Sequence, residues 1–167
     1  MNRVLLTGST GFLGRALRQE LLTLRVPSFF AVRNVQSDTT SSDIVIGDIT
    51  DRTNWRTCLD ISKCSVVIHS AARVHIMNDA SNDPLEMFRD VNTFGTLNLA
   101  RQAAATGVKR FIFISSIKVS GWANDWGHQY EMAEDGNYVL LVNIELDAWA
   151  NQIKGQIGRN SRAHLLS

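Results

Sequence analysis

Short apolar runs alternate along this chain with longer stretches whose apolar residues recur every three or four positions. Val4-Leu5-Leu6 is too long for a turn and too short for a helix, and reads as a strand. Glycines follow at 8, 11 and 14, and then Leu13, Ala16, Leu17, Leu21 and Leu24 fall at helical spacing. Beyond the break at Pro27, Ser28–Val32 (SFFAV) reads as a second, fully buried strand. Residues 35–42 are polar and rich in Ser, Thr and Asp, a surface loop, and 43–47 (DIVIG) make a third strand. Asp51 is the candidate N-cap of a short helix running to Leu59. A fourth strand lies at 65–69 (SVVIH) and a fifth at 110–115 (RFIFIS), with a polar loop over 73–82. Asp83-Pro84 opens a long helix between them, with Asp as N-cap and Pro at the first helical position. Phe88, Val91, Gly95, Leu99 and Ala103 give that helix its apolar face, and Gly107 ends it. Gly95 in mid-helix costs about 1 kcal/mol relative to Ala, so a close approach to another element is expected there.

Five strands alternating with helices, with no hairpin turn between them, predict an α/β fold: a Rossmann-type, doubly wound parallel sheet with helices on both faces. Ligands of such sheets bind outside the carboxyl ends of the strands. The glycines 8 to 14, Arg33, Asp48, Ser70, Ala71, Ala72, Ser115 and Ser116 all fall at those ends. Within the triplet, Gly8 leaves the strand with a φ that a Cβ would penalise. Gly11 leaves room for a pyrophosphate against backbone N–H groups, and Gly14 lets helix and strand pack closely. The helix N-terminus then faces the phosphates. The spacing is G-x-x-G-x-x-G, one residue longer than the commonest dinucleotide fingerprint. An acidic residue at the end of the second strand would hydrogen-bond the adenosine ribose, whereas an arginine pairs with a 2′-phosphate. Here Arg33 and Asn34 stand there, with no acid until Asp38. Arg33 therefore leans toward NADP over NAD; the alternative is a solvated loop cation. The small residues Ser70-Ala71-Ala72 suit a backbone passing under a ligand, or equally tight packing.

Length and composition narrow the classes. At 167 residues the chain can bury one real core, and its 44% hydrophobic and 20% charged residues with net charge +1 are ordinary for a globular protein. That balance makes no electrostatic case for nucleic acid or an anionic membrane. The first apolar run is far short of a signal-peptide core and no stretch approaches a membrane span, so the cytoplasm is the default address. Cys58 and Cys64 lack metal-site spacing and read as small hydrophobes; His69, His75, His128 and His164 are scattered, so no metal site is expected.

The sequence resembles the extended short-chain dehydrogenase/reductase family, in particular its NAD-dependent epimerase/dehydratase branch acting on nucleotide sugars. The matching stretches, in the family's order, are TGSTGFLG at 7–14, GDITD at 47–51, VVIHSAA at 66–72, VNTFGTLNL at 91–99 and FIFISSIKVSG at 111–121. The wording HSAARVH and SSIKVSG is similar to UDP-glucose 4-epimerase-type proteins of surface polysaccharide pathways. The resemblance implies roles. Thr7, Gly8, Ser9, Thr10, Gly11, Phe12, Leu13 and Gly14 would cradle the pyrophosphate. Asp48 and Ile49 would flank the adenine, Ala71 and Ala72 would line the nicotinamide ribose side, and Ser115 lies with them at the cofactor. Asn92 would hold the long helix in its active-site arrangement. Ser116 matches the catalytic serine or threonine that hydrogen-bonds the reacting sugar hydroxyl. A hydride would pass from a sugar carbon to NAD or NADP, giving a transient keto sugar, and in an epimerase return to the other face. Relatives dimerise through the helix equivalent to 84–106, which makes a homodimer an expectation of the resemblance.

One departure stands out. The family's base is a Tyr with a Lys four residues later, the ammonium lowering the phenol pKa. The tyrosines here are Tyr130 and Tyr138, followed at that distance by Glu134 and Val142; Lys118 and Lys154 do not complete the pair. The motif series covers 1–121, a dinucleotide-binding domain. The tail 122–167 holds three of the four tryptophans and both tyrosines and no proline, a divergent segment in which 145–153 suggests a helix. This predicts a gene truncated or frameshifted after about residue 121. The product would be a cofactor-binding fragment without the family's sugar-binding C-terminal half and without turnover alone. The rival readings are a carbonyl- or flavonol-type reductase of the same superfamily and a non-catalytic NADP-binding redox sensor.

Overall fold

The computed structural model describes residues 2–73, 84–116, 129–132 and 138–145. Its centre is a parallel sheet of β1 (Val4–Thr7), β2 (Ser28–Val32), β3 (Asp43–Val45), β4 (Val66–His69) and β5 (Arg110–Ser116), in the order β3-β2-β1-β4-β5. Leu5 lies opposite Phe29 on one side and Val67 on the other, so the central strands run in register. The order reverses between β1 and β4, the switch point at which sheets of this kind open a crevice at the carboxyl ends.

Strand alternation sends successive side chains to opposite faces. On one face Leu5, Ala31, Val67 and Phe111 form a buried cluster with Trp55, with Cys58 and Leu59 of α2 (Arg56–Ser62), and with Leu99, Ala100 and Ala103 of α4 (Thr96–Ala105). On the other face Leu6 and Phe30 are fully covered, and Arg18 of α1 (Phe12–Thr23) lays its guanidinium over the Phe30 ring at 4.2 Å. Helices thus cover both faces, as the pattern predicts. In α1 the predicted stripe is only partly hidden: Leu13, Leu17 and Leu21 are half-buried, whereas Ala16 and Leu24 are exposed. The two cysteines are free thiols inside the core, where burial pushes Cys58 up to about 12 and Cys64 also upward.

Three sequence expectations are corrected. Asp51 does not cap a helix through Leu59; α2 starts at Arg56, behind Trp55, with no side-chain cap. Threonines take the preceding residues into a turn instead. Thr53 donates its hydroxyl to the Asp48 carbonyl at 2.7 Å and accepts the Thr50 N–H at 2.8 Å. Asn98 and Gln102 of α4 then clamp this turn through the Thr53 carbonyl at 2.8 and 2.9 Å. The long helix is not one α-helix either. It runs as α3 (Pro84–Arg89), a π-helical segment (Asp90–Gly95) and α4, where the wider turn seats Gly95 against Ile49. A Cβ on Gly95 would come within 2.7 Å of Ile49 Cγ2, the close approach that mid-helix glycine predicts. Gly107 ends α4 at φ 82° as expected, while the proposed Asp83 cap lies outside the described residues.

The third concerns the tail. Glu145 is not the start of a helix; it closes β7 (Tyr138–Glu145), which pairs antiparallel with β5, and β6 (Gln129–Met132) pairs antiparallel with β7. Residues 146–153 lie outside the described residues. The sheet therefore has seven described strands, with β7 and β6 extending it beyond β5.

Candidate functional site

The glycine turn between β1 and α1 is built by contact at backbone distance. Gly8 sits at φ 73°, and a Cβ there would lie 2.6 Å from the Ala71 nitrogen; one on Gly14 would lie 1.8 Å from the Gly8 carbonyl oxygen. Both positions therefore exclude any side chain. Gly11 differs: its Cβ would meet only the Gly8 oxygen, at 3.3 Å, so its outer side is open. Gly11 is also the N-cap of α1, in extended conformation and with no side-chain cap. The first N–H groups of a helix have no intrahelical partner and carry the positive end of its dipole. Here they open next to Ser9, whose buried hydroxyl has no partner, and Phe12, which is 92% exposed. Open backbone donors, an orphaned hydroxyl and space beside Gly11 fit a pyrophosphate.

Beneath the turn lies a buried polar chain that the sequence reading missed. His69, at the end of β4, is wholly covered and hydrogen-bonds Thr7 Oγ1 through Nδ1 at 2.6 Å and Thr96 Oγ1 through Nε2 at 2.9 Å. Its ring stacks on Phe113. Burial pushes its pKa down to about 4, so at neutral pH one ring nitrogen donates and the other accepts. The chain ties β1, β4 and α4 together under the site. The Ala71 N–H reaches Thr7 Oγ1 at 3.4 Å, and Ser70 donates its hydroxyl to the Thr7 carbonyl at 2.7 Å. Period-two spacing from buried Val67 put His69 on the α4-facing side, which was the available signal.

Asn92, on the π-helical segment, accepts the Arg73 N–H at 2.7 Å and donates to the Arg73 carbonyl at 2.9 Å. Its side chain is a brace between that helix and the segment leaving β4. Ser115 and Ser116 end β5, their backbone opposite Leu140 and Val139 of β7.

The far side of the crevice is exposed and charged. Arg33, just past β2, pairs with Asp48 at 2.9 Å, both side chains more than 70% exposed. Arg33 is thus neither unpaired nor buried. Behind it a cavity of about 410 Å³ opens between the glycine turn, α1 and the loop after β2, lined among others by Ser9, Thr10, Arg15, Asn34 and Thr39. Arg18 and Asp43 close its floor with a two-pronged pair at 2.5 and 2.9 Å. Burial works against the Asp43 charge, but Arg18 and Thr40 outweigh it and hold the carboxyl at about 2.

The profile of the NAD-dependent epimerase/dehydratase family matches residues 4–141, from the first residue of β1 into β7. The chain belongs to that family. A UDP-glucose 4-epimerase of Vibrio cholerae is 45% identical over 122 residues, 71% of this chain and 36% of that protein. A 3-beta-hydroxysteroid dehydrogenase of Mycolicibacterium neoaurum is 32% identical over 125 residues, 71% of this chain and 33% of its own length. Among solved structures, MoeE5 in complex with UDP-glucose and NAD superposes with a TM-score of 0.60 at 28% identity, over 74% of this chain and 39% of that one. The chain spans about a third of the length of these curated relatives. Among the residues singled out from the sequence, Gly8, Ser70, Ala71, Arg33 and Asp48 follow the carboxyl ends of β1, β4, β2 and β3, Ser115 and Ser116 end β5, and Asn92 lies on the π-helical segment. Lys118 and Lys154 lie outside the described residues.

Proposed function

We propose that this chain is the dinucleotide-binding part of an enzyme acting on nucleotide sugars in the manner of a UDP-glucose 4-epimerase. The glycine turn carries the reading. It pairs two positions that exclude a Cβ with one that leaves open space beside an uncapped helix end, which is what a backbone cradle for pyrophosphate requires. The 45% identity to the Vibrio cholerae epimerase supports the sugar class.

In this reading residues 7–14 hold the pyrophosphate, Asp48 and Ile49 flank the adenine, and Ala71 and Ala72 line the nicotinamide side. Asn92 and His69 keep those segments in place from below. The nicotinamide, when bound, supplies a hydride acceptor. Ser116 would hydrogen-bond the sugar hydroxyl at the end of β5. No Tyr in this sequence has a Lys four residues later, so the proton at that hydroxyl has no assigned carrier. The chain by itself is expected to bind dinucleotide and not to turn over UDP-glucose. The deciding measurement is calorimetric titration with NADP and then NAD. Micromolar binding of either supports a working cofactor domain; binding of neither overturns the reading. Steady conversion of UDP-glucose to UDP-galactose by this chain would overturn the absence of turnover.

The absence of an acid at the end of β2 favours a second reading, an NADP-dependent reductase of the same superfamily. Small ketones tested against UDP-sugars in a cofactor-absorbance assay separate the two, and no response to either favours a non-catalytic NADP-binding sensor. A homodimer is proposed through α3, the π-helical segment and α4, whose Met87, Phe94 and Leu97 are 39%, 48% and 36% exposed; light scattering tests it.

A further inference from the structure

The segment after β3 is held by α4 more than by the sheet. β3 is an edge strand of three residues. Just beyond it the Ile46 N–H donates to the Val32 carbonyl at 2.9 Å, and the chain then turns away at Gly47, φ 74°. Asp48 and Ile49 stand outside the ladder. Among the described residues, two polar ties bring residues 47–53 back to the rest of the protein. One is the exposed Arg33–Asp48 pair, which positions little because solvent competes for both charges. The other is a pair of amides on α4. Asn98 Nδ2 donates to the Thr50 carbonyl at 3.1 Å and to the Thr53 carbonyl at 2.8 Å. Gln102 Nε2 donates to the same Thr53 carbonyl at 2.9 Å and to Asn98 Oδ1 at 2.7 Å. Its Oε1 accepts the Trp55 N–H at 2.9 Å. Both N–H groups of each amide are thereby used, and a closed network of this kind fixes geometry better than separate bonds do.

The clamp reaches Asp48 and Ile49 through the turn itself. Thr53 returns its hydroxyl to the Asp48 carbonyl at 2.7 Å, so a carbonyl held by Asn98 and a carbonyl beside Ile49 belong to one residue's bonds. Gly95 presses on Ile49 from the same helical unit, close enough to exclude a Cβ. On the preceding π-helical segment Asn92 grips the Arg73 backbone on the β4 side. One helical unit therefore braces both sides of the crevice with amide side chains. We infer that Asn98 and Gln102 are positioning residues for the adenine end of the dinucleotide, acting through the Thr50–Thr53 turn on Asp48 and Ile49. Asn92 serves the opposite, nicotinamide end. This deepens the dinucleotide reading above and rests on it. Neither amide is needed to keep the turn itself closed, since the Thr53 hydroxyl accepts the Thr50 N–H at 2.8 Å without them.

The test uses the 167-residue chain and two ligands that differ only in the purine, NAD and nicotinamide hypoxanthine dinucleotide, titrated by calorimetry. An acceptor such as Asp48 suits the adenine amino group and not the hypoxanthine carbonyl oxygen, so the unaltered chain should prefer NAD about fivefold. Asn98→Ala is expected to weaken NAD about tenfold and the hypoxanthine analogue about threefold or less, so that the preference nearly disappears. Gln102→Ala moves the ratio in the same direction by less. Asn92→Ala weakens both ligands by the same factor and leaves the ratio alone. Circular dichroism of each variant separates lost binding from lost fold. If Asn98→Ala does not fold, Gln102→Ala, which keeps the Asn98 donors, decides by the same ratio. Equal losses of the two ligands in Asn98→Ala, or an unchanged NAD affinity, overturn the inference. So does a ratio that collapses in Asn92→Ala as far as in Asn98→Ala, because the effect would then not be local to the adenine end. Binding of both ligands equally by the unaltered chain overturns the inference and leaves the dinucleotide reading standing; binding of neither overturns both.

Discussion

The two sides of the strand-end crevice are held by different physics. On the β1–β4 side, Gly8, Gly14, Thr7, His69 and Ala71 meet at backbone contact, are mostly buried, and have their hydrogen bonds closed within the protein. On the β2–β3 side, Arg33 and Asp48 stand in solvent, and beside them lies a polar cavity with Arg15 unpaired. The first side sets whether the turn can exist at all. The second is loosely constrained, so its charges can be exchanged at little cost to the fold. Chemistry common to a family belongs on the first, and a choice between related ligands belongs on the second.

The largest effect is expected from Gly14→Ala. Its Cβ would sit 1.8 Å from the Gly8 carbonyl oxygen, so α1 must move off β1. Overpacking against backbone costs about 3 kcal/mol or more, read as a large drop in thermal midpoint or loss of the folded state. Gly107→Ala is the control: φ is 82° but nothing lies within 4 Å, so only backbone strain of about 1 kcal/mol is expected. Equal losses at the two sites would mean that close approach is not what fixes the turn.

Next comes pH. His69 has its pKa lowered by burial from 6.5 to about 4 in the fold. The unfolded chain binds the extra proton first as pH falls, so stability is complete above about 6.5 and is lost between 6.5 and 4. The full loss is about 3 kcal/mol. Chemical denaturation at pH 7, 5.5 and 4 measures it, and a His69→Leu variant should be less stable at pH 7 yet flatter across that window. Asp43 acts lower. With its carboxyl held at about 2 against an ordinary 3.8, its contribution is present above 3.8 and disappears as pH falls through 2. A midpoint that stays constant from pH 7 to 4 would remove His69 from the structural chain proposed for it.

What the sequence made legible follows the same division. The glycine triplet, the five parallel strands and the glycine at the end of α4 were readable because each rests on local sterics or on a short apolar period. The π-helical segment was not, since it depends on Gly95 meeting Ile49 from a distant strand end. The start of α2 was misplaced because Thr50, Thr53, Asn98 and Gln102 build a tertiary clamp that outcompetes an Asp cap. Residues 138–145 (YVLLVNIE) carried a strand-like apolar run, but nothing local tells that it pairs antiparallel with β5. Arg33 was legible as a position and illegible as a state, because its partner Asp48 comes from beyond the next strand.

The smallest effect on stability should come from Asp48→Asn, and it sharpens the comparison most. An exposed pair of this kind contributes less than about 1 kcal/mol, so the thermal midpoint should scarcely move. Binding should respond differently. With its carboxylate partner gone, Arg33 is released into the region beside Arg15, and the ratio of NADP to NAD affinity should rise by a few-fold. Combining Asp48→Asn with Arg33→Gln then tests the cation itself: if the freed Arg33 causes the rise, the double variant loses it. A midpoint shift of several degrees in Asp48→Asn, or an unchanged NADP to NAD ratio, would show that the pair is structural. The soft side of the crevice would then be as fixed as the hard one.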